Sequence, residues 1–250
     1  MVALPIVIPT YRNYPFLKTT LSTMARYAPG DYRIMVGLQD EDGDALRSLT
    51  TLINPDWHKG MEVIYFPKNV GVPVVVNTAL NLAKTDYFCY LNDDVNFVPH
   101  CPDYWSILLD TIKGVPNAGL VGPATNKATG LQVATEEWYP NILSVNFLHG
   151  VCMLGPTEVW KEVGGMDLSL PIGDDTDLSI AVKQAGYSLL INRMAYIGHR
   201  GHVTVERLYS QEDIHKRIKQ SEDLMLAKWG KEIMDTFGGE ILEWTEAFSR

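Results

Sequence analysis

At 250 residues, 46% hydrophobic and 20% charged, the chain has material for one large α/β domain or two small ones. Its net charge of −9 argues against general nucleic-acid binding, which needs a basic face against phosphates. Three scattered cysteines without a Cys-x-x-Cys spacing exclude a disulfide framework and a zinc knuckle and point to a reducing, cytoplasmic setting.

In chain order, Leu4 to Pro9 is expected as a strand rather than a leader peptide, because no basic segment precedes it. Tyr14 to Tyr27 reads as a helix with Pro15 in its first turn. Tyr32 to Leu38 is a second strand, followed by an acidic turn and a short helix to about Ile53. Met61 to Phe66 is a third strand. Val72, Val75, Val76, Ala79, Leu80 and Ala83 follow a helical period despite their β-branched members. Tyr87 to Leu91 is a fourth strand that ends abruptly in Asn92-Asp93-Asp94. Alternation of this kind means right-handed crossovers and a mostly parallel sheet.

The second half is less regular. A helix is expected from Pro102 to Lys113 and strands at Ala118–Val121, Gly130–Ala134 and Val145–Leu154, the last broken at His149-Gly150. A short helix at Pro156–Val163 and another at Asp174–Ala185 follow, then strands at Tyr187–Ile191 and Met194–Ile197. The tail from about Val205 to Phe237 is polar and helical, with a break at Gly238-Gly239. No apolar stretch is long enough for a membrane span.

Adjacent carboxylates at Asp93 and Asp94 repel unless something positive sits between them. Hard oxygen ligands at a strand end suit Mg²⁺ or Mn²⁺; an Asx-rich turn is the plainer reading. A second acidic group, Gly173-Asp174-Asp175-Thr176-Asp177, opens a helix. Capping needs one aspartate, and three exceed it, so a general base is a candidate there. His199 and His202 with Arg200 form a third group, suited to completing a metal site or pairing with phosphate. Thr10-Tyr11-Arg12-Asn13 and Asp40 fall on the same sheet edge as Asp93 and Asp94, where a nucleotide crevice would form. No Gly-x-Gly-x-x-Gly, Walker A or Gly-x-Ser-x-Gly sequence occurs.

In this order the segments resemble a family 2 glycosyltransferase with the GT-A fold. The resemblance rests on Val-Ile-Pro-Thr-Tyr-Arg-Asn at 7–13, Asp40, Asn69-x-Gly71 with Asn77, and Leu91-Asn-Asp-Asp-Val in place of a DXD motif. It continues through Gly122-Pro123, Asn126, His149-Gly150, Gly164-Gly165-Met166-Asp167, Gly-Asp-Asp-Thr-Asp-Leu at 173–178, and His199 with Thr204. Asn92 departs from the first acid of DXD, and Asp174 from a usual glutamate.

The resemblance implies one α/β GT-A domain at 1–204, with a mixed, mostly parallel sheet flanked by helices. Its nucleotide-binding half would be 1–98, its acceptor half 99–204, and a helical extension would follow at 205–250. It implies metal-dependent, inverting transfer from a nucleotide diphosphate sugar, a UDP-sugar first, to a glycan or other hydroxyl acceptor. Asp175 would be the base and Asp174 its alternate. Pro9, Thr10, Tyr11, Arg12, Asp40, Asn69, Gly71, Asn77, Asn92 and Asp93 would meet the nucleotide. Asp94, His199 and Asp93 would hold Mn²⁺ or Mg²⁺, and His149, Gly150, Trp138 and Arg200 would serve the sugar or acceptor. Tyr139 and Trp160 are further stacking candidates. A sugar-1-phosphate nucleotidyltransferase and a non-catalytic sugar-binding module are the alternatives. The C-terminal helices offer an oligomer contact.

Overall fold

The computed structural model describes residues 3–41, 43, 61–128, 130–135, 141–201 and 203–237. The expected helix near Ile53, Trp138, Tyr139, His202 and the Gly238-Gly239 break lie outside them.

Strand β1 (Leu4–Tyr11) leads to α1 (Tyr14–Tyr27), β2 (Tyr32–Gln39) and β3 (Glu62–Phe66). Next come α2 (Val72–Leu82), β4 (Tyr87–Leu91) and the two-residue β5 (Val95–Asn96). Then follow α3 (Tyr104–Gly114), β6 (Ala118–Thr125), β7 (Ile142–Val145) and β8 (Cys152–Pro156). The chain continues through α4 (Thr157–Glu162), α5 (Asp174–Gln184), β9 (Ser188–His199), α6 (Val203–Leu208) and α7 (Gln211–Trp229).

One sheet runs β3-β2-β1-β4-β8-β6-β9-β5, with β7 beside β9. Strands β3, β2, β1 and β4 are parallel. β8 runs antiparallel between β4 and β6, and β6 runs parallel to β9. Every strand from β1 to β4 is therefore aimed at one edge. The reversed β8 starts at that same edge, and β6 and β9 end there. Tyr11, Gln39, Leu91, Thr125 and His199 close their strands on this edge, and Cys152 opens its own.

Two apolar layers cover the sheet. Leu17, Leu21 and Met24 of α1 pack with Tyr104, Trp105 and Leu108 of α3 on one face. Val75, Val76 and Ala79 of α2 pack with Trp160, Leu178 and Val182 on the other. The apolar period over 72–83 is thus a buried helix face, as its spacing predicts. That helix lies so close to β2 that a Cβ on Gly37 would sit 1.9 Å from Val75 Cγ1.

Three expectations need correction. Gly130–Gln132 is a 3₁₀ turn, with one bridge between Val133 and Thr125, because the segment is too short to build a ladder. The stretch expected as one broken strand at 145–154 is two strands in different places, β7 against β9 and β8 against β4. The two short strands expected at 187–197 are one, β9. Its polar middle is held from outside: Asn192 donates to Thr111 Oγ1 at 2.7 Å, and the Arg193 N–H to the Asn141 carbonyl at 2.7 Å.

Candidate active site

The turn after β4 is built around Asp94. β5 pairs antiparallel with the end of β9, Val95 opposite His199, and this brings the two side chains together. His199 Nε2 lies 3.3 Å from Asp94 Oδ1, both nearly buried. Asp94 Oδ2 accepts the Gly201 N–H at 3.0 Å, whereas Oδ1 has no hydrogen-bond donor. His199 Nδ1 lies 2.8 Å from the Lys127 carbonyl oxygen, which can only accept. Nδ1 therefore carries the proton, and a neutral ring turns the Nε2 lone pair toward an unpaired carboxylate oxygen. Burial pushes the imidazole pKa down, but the Asp94 contact outweighs it and leaves the net shift upward. Either a proton or a cation between the two acceptors satisfies both. A carbonyl-anchored imidazole with a carboxylate beside it is a donor set that fits a divalent metal.

Asn126 fixes His199 in place. Its Oδ1 accepts the His199 N–H at 2.7 Å, and its Nδ2 donates to the His199 carbonyl at 3.1 Å. Asn92 Nδ2 lies 3.3 Å from His199 Nε2, and the Tyr90 hydroxyl donates to Asn92 Oδ1. Asn92 thus stands where a third ligand would, but it presents its amide.

Asp93, expected as a metal ligand, turns away from this pair. Its Oδ1 accepts from Asn13 Nδ2 at 3.3 Å, and its backbone carbonyl accepts from the Thr20 hydroxyl at 2.8 Å. Burial, then the Asp94 charge, push its carboxyl up to about 7, against the pull of Thr10 and Asn13. Among the described residues no three His, Cys, Asp or Glu side chains form a ready metal cluster.

The second acidic group sits beside the first. Gly173, at φ 80, lets the chain turn into α5. Asp175 is held by backbone amides: Oδ2 accepts the Gly150 N–H at 2.8 Å and Oδ1 the Thr176 N–H at 2.9 Å. His149 Nδ1 lies 3.8 Å from the same Oδ2, and burial lowers that imidazole's pKa. Asp174, next to it and half-buried, has its carboxyl pushed up to about 7 by burial, then by the charges of Asp175 and Asp177. A cavity of about 160 Å³ joins the two groups; Asn92, His149, Gly150, Asp174, Asp175 and His199 are among its walls.

The residues expected on the nucleotide side share the edge but are tied from elsewhere. Arg12, at φ 57, pairs with Glu41 at 2.9 Å. Arg207 of α6 donates to the Tyr11 carbonyl at 2.7 Å and to that of Arg12 at 2.8 Å. Asn13 Nδ2 donates to Thr204 Oγ1. Gln39 Oε1 accepts the N–H groups of Val70 and Gly71 at 2.8 and 2.9 Å, which pins the 69–71 loop beside Asp40. Tyr65 donates to the Asp40 carbonyl at 3.1 Å. Arg200 is exposed and stacks its guanidinium over Phe16, 4.8 Å from the ring centre.

Some expected site residues lie elsewhere. Asn77 engages both its polar atoms with Met166, at 2.8 and 2.9 Å, and so clamps the segment after Gly164-Gly165. Trp160 is fully buried against Phe88, edge to face at 5.4 Å, because burying its rings stabilises more than exposing them. Asp177 is committed to the C-terminal helix. Gln39, Lys127 and Arg207 were missed. Gln39 and Arg207 act on backbone groups and Lys127 through its own carbonyl, and no motif spacing marks such contacts.

Residues 6–103 match the family model described as Glycosyl transferase family 2. No curated protein is significantly similar in sequence. The fold superposes on the crystal structure of GalNAc-T7 with UDP, GalNAc and Mn²⁺ (TM-score 0.62, 14% identity, 79% of this chain and 43% of that one). It superposes on the mannosyltransferase PcManGT from Pyrobaculum calidifontis in complex with GDP-Man and Mn²⁺ (TM-score 0.57, 14% identity, 88% and 64%). It also superposes on S. aureus TarS 1–349 in complex with UDP-GlcNAc (TM-score 0.60, 14% identity, 90% and 66%). The chain spans 43% to 66% of the length of these proteins. The sheet with its flanking helices is a GT-A fold, and within it residues 6–103 are similar to glycosyl transferase family 2.

Proposed function

We propose that the protein transfers a sugar from a nucleoside diphosphate sugar to a hydroxyl acceptor, with a divalent cation and with inversion. The observation that carries this reading is the Asp94–His199 pair. Two acceptors face each other at 3.3 Å at the end of the fourth strand of a GT-A fold. The GalNAc-T7 and PcManGT structures, each with Mn²⁺ and a nucleotide, support the cation and the donor class.

Asp94 and His199 would hold Mn²⁺ or Mg²⁺, with Asn92 beside them. The cation would supply positive charge to the departing diphosphate. The chain's own residues do the rest. The 10–13 loop and Asp40 receive the nucleoside, a uridine first. The Gly150 and Thr176 amides keep the Asp175 carboxylate aimed. Asp175 takes the proton of the acceptor hydroxyl as its oxygen bonds to the anomeric carbon and the bond to the diphosphate breaks on the opposite face. Asp174, whose proton leaves near pH 7, is the alternate base. His149 and Gly150 border the acceptor side. A nucleotidyltransferase would need a glycine-rich phosphate loop after β1; Thr10 to Asn13 has no glycine.

The test is incubation with Mn²⁺ and a panel of nucleotide sugars, reading free nucleoside diphosphate. Slow release that stops on chelation is expected. Formation of nucleoside triphosphate and sugar 1-phosphate once pyrophosphate is added, with no nucleoside diphosphate released, would instead move the protein to the nucleotidyltransferases.

A further inference from the structure

The C-terminal helix α7 ends on the catalytic loop. Lys228 Nζ lies 2.8 Å from Asp177 Oδ2 and 2.8 Å from Asp167 Oδ2. Trp229 Nε1 donates to Asp177 Oδ1 at 2.7 Å. One ammonium thus closes the two ends of the 167–177 loop, and that loop carries Asp174 and Asp175. Asp177 is 1% exposed. Gly173, the N-cap of α5, has no side chain to cap the helix, and both Asp177 carboxylate oxygens are taken by α7. Unpaired, a buried charge at this position would be costly; both its oxygens have partners only because α7 is there.

The same helix meets the loop along its length. Ser221 Oγ accepts the Ile172 N–H at 3.3 Å. Ile214 and Ile218 pack with Ile172, Val205 and Tyr209. Ile172 and Gly173 in turn border the cavity beside Asp174, Asp175 and His199.

We propose that α7 is a strut of the active site, and that Asp177, Lys228 and Trp229 are positioning residues. Through Asp177 they set the start of α5 and hence where the Asp175 carboxylate points. The third acid of the Asp174-Asp175-Thr176-Asp177 run touches no substrate on this account. It explains why three acids crowd one helical turn: two face the cavity and one faces the strut. The inference rests on the assignment of Asp175 as the base.

Trp229→Phe keeps an aromatic ring and removes the donor; Lys228→Met keeps the stem and removes the charge. In the full chain each is expected to lower kcat roughly tenfold to a hundredfold, since a small misplacement of a catalytic group costs that much. The Kd for nucleoside diphosphate should stay within about twofold. Lys228→Arg, which retains the charge, should restore most of kcat. A second readout does not depend on turnover: amide exchange at Gly150 and Thr176, both bonded to Asp175, should speed up in Trp229→Phe and Lys228→Met. Unchanged kcat and unchanged exchange in both variants would overturn the strut. So would equal losses of kcat, nucleotide binding and cooperative melting, which would mark a merely global role. If the wild type consumes no donor, the functional reading fails, and amide exchange still decides the strut.

Discussion

The Lys127 carbonyl and the His199 Nδ1 stand 2.8 Å apart, and this contact decides which face of the imidazole is free. With the proton on Nδ1, Nε2 faces the undonated Oδ1 of Asp94. A backbone carbonyl behind a ligating histidine is the usual way a protein sets that orientation. His199→Ala should therefore weaken Mn²⁺ binding in the nucleotide complex by about tenfold to a hundredfold. Electron paramagnetic resonance of free Mn²⁺ reads this directly. Undiminished binding would remove His199 from the ligand set.

Asp175 is held by two amides, with His149 Nδ1 3.8 Å from its Oδ2. Asp175→Asn should lower turnover by about 10²-fold to 10⁴-fold, the span of general-base effects. Calorimetry of the same variant should show nucleoside diphosphate binding as in the wild type. Turnover that survives in Asp175→Asn but not in Asp174→Asn would exchange the two roles.

The raised carboxyl of Asp174 has a signed consequence. Its folded value is about 7, above that of an unfolded aspartate, so the folded state binds its proton more tightly. Stability from this group is full below about pH 4 and is lost as pH rises through 7. The thermal midpoint of the wild type should fall between pH 5 and pH 8 by more than that of Asp174→Asn, by scanning calorimetry. Parallel profiles would contradict the burial of that carboxyl.

Arg207 holds the 11–12 turn through two backbone carbonyls. Arg207→Ala frees the loop proposed to receive the nucleoside. KM for the donor should rise several-fold while kcat at saturation changes little, as expected for lost ground-state binding. An unchanged KM would mean the loop holds itself.

Asn77 joins α2 to the Met166 backbone with two hydrogen bonds. Asn77→Ala leaves two backbone groups unpaired and should cost about 1–3 kcal/mol in urea unfolding, with nucleotide affinity unchanged. A loss of nucleotide affinity larger than the loss of stability would return Asn77 to the nucleotide site.

The parallel half of the fold is legible in the sequence because its strands are apolar runs and its helices keep one buried face. Helix α1 has the bounds that Pro15 and the flanking tyrosines suggest. The two halves of β9 are legible, but its continuity is not. Asn192 and Arg193 interrupt its apolar run, and their partners Thr111 and Asn141, far off in sequence, help carry the strand through. The acidic clusters of the site are visible as excess charge, but their division of labour is not. Asp93 and Asp94 are neighbours in the chain, yet they face Asn13 and His199 respectively. Asp177 looks like its neighbours until Trp229 and Lys228 are placed on it.

The most direct measurement is calorimetric titration of UDP and of GDP, each with Mn²⁺ and with chelator, on the wild type and on Asp94→Ala. We expect at least one nucleotide to bind about tenfold or more tightly with Mn²⁺, and that gain to vanish in Asp94→Ala. Equal affinity with Mn²⁺ and with chelator, or no binding of either nucleotide, would contradict a metal-dependent nucleotide-sugar transferase.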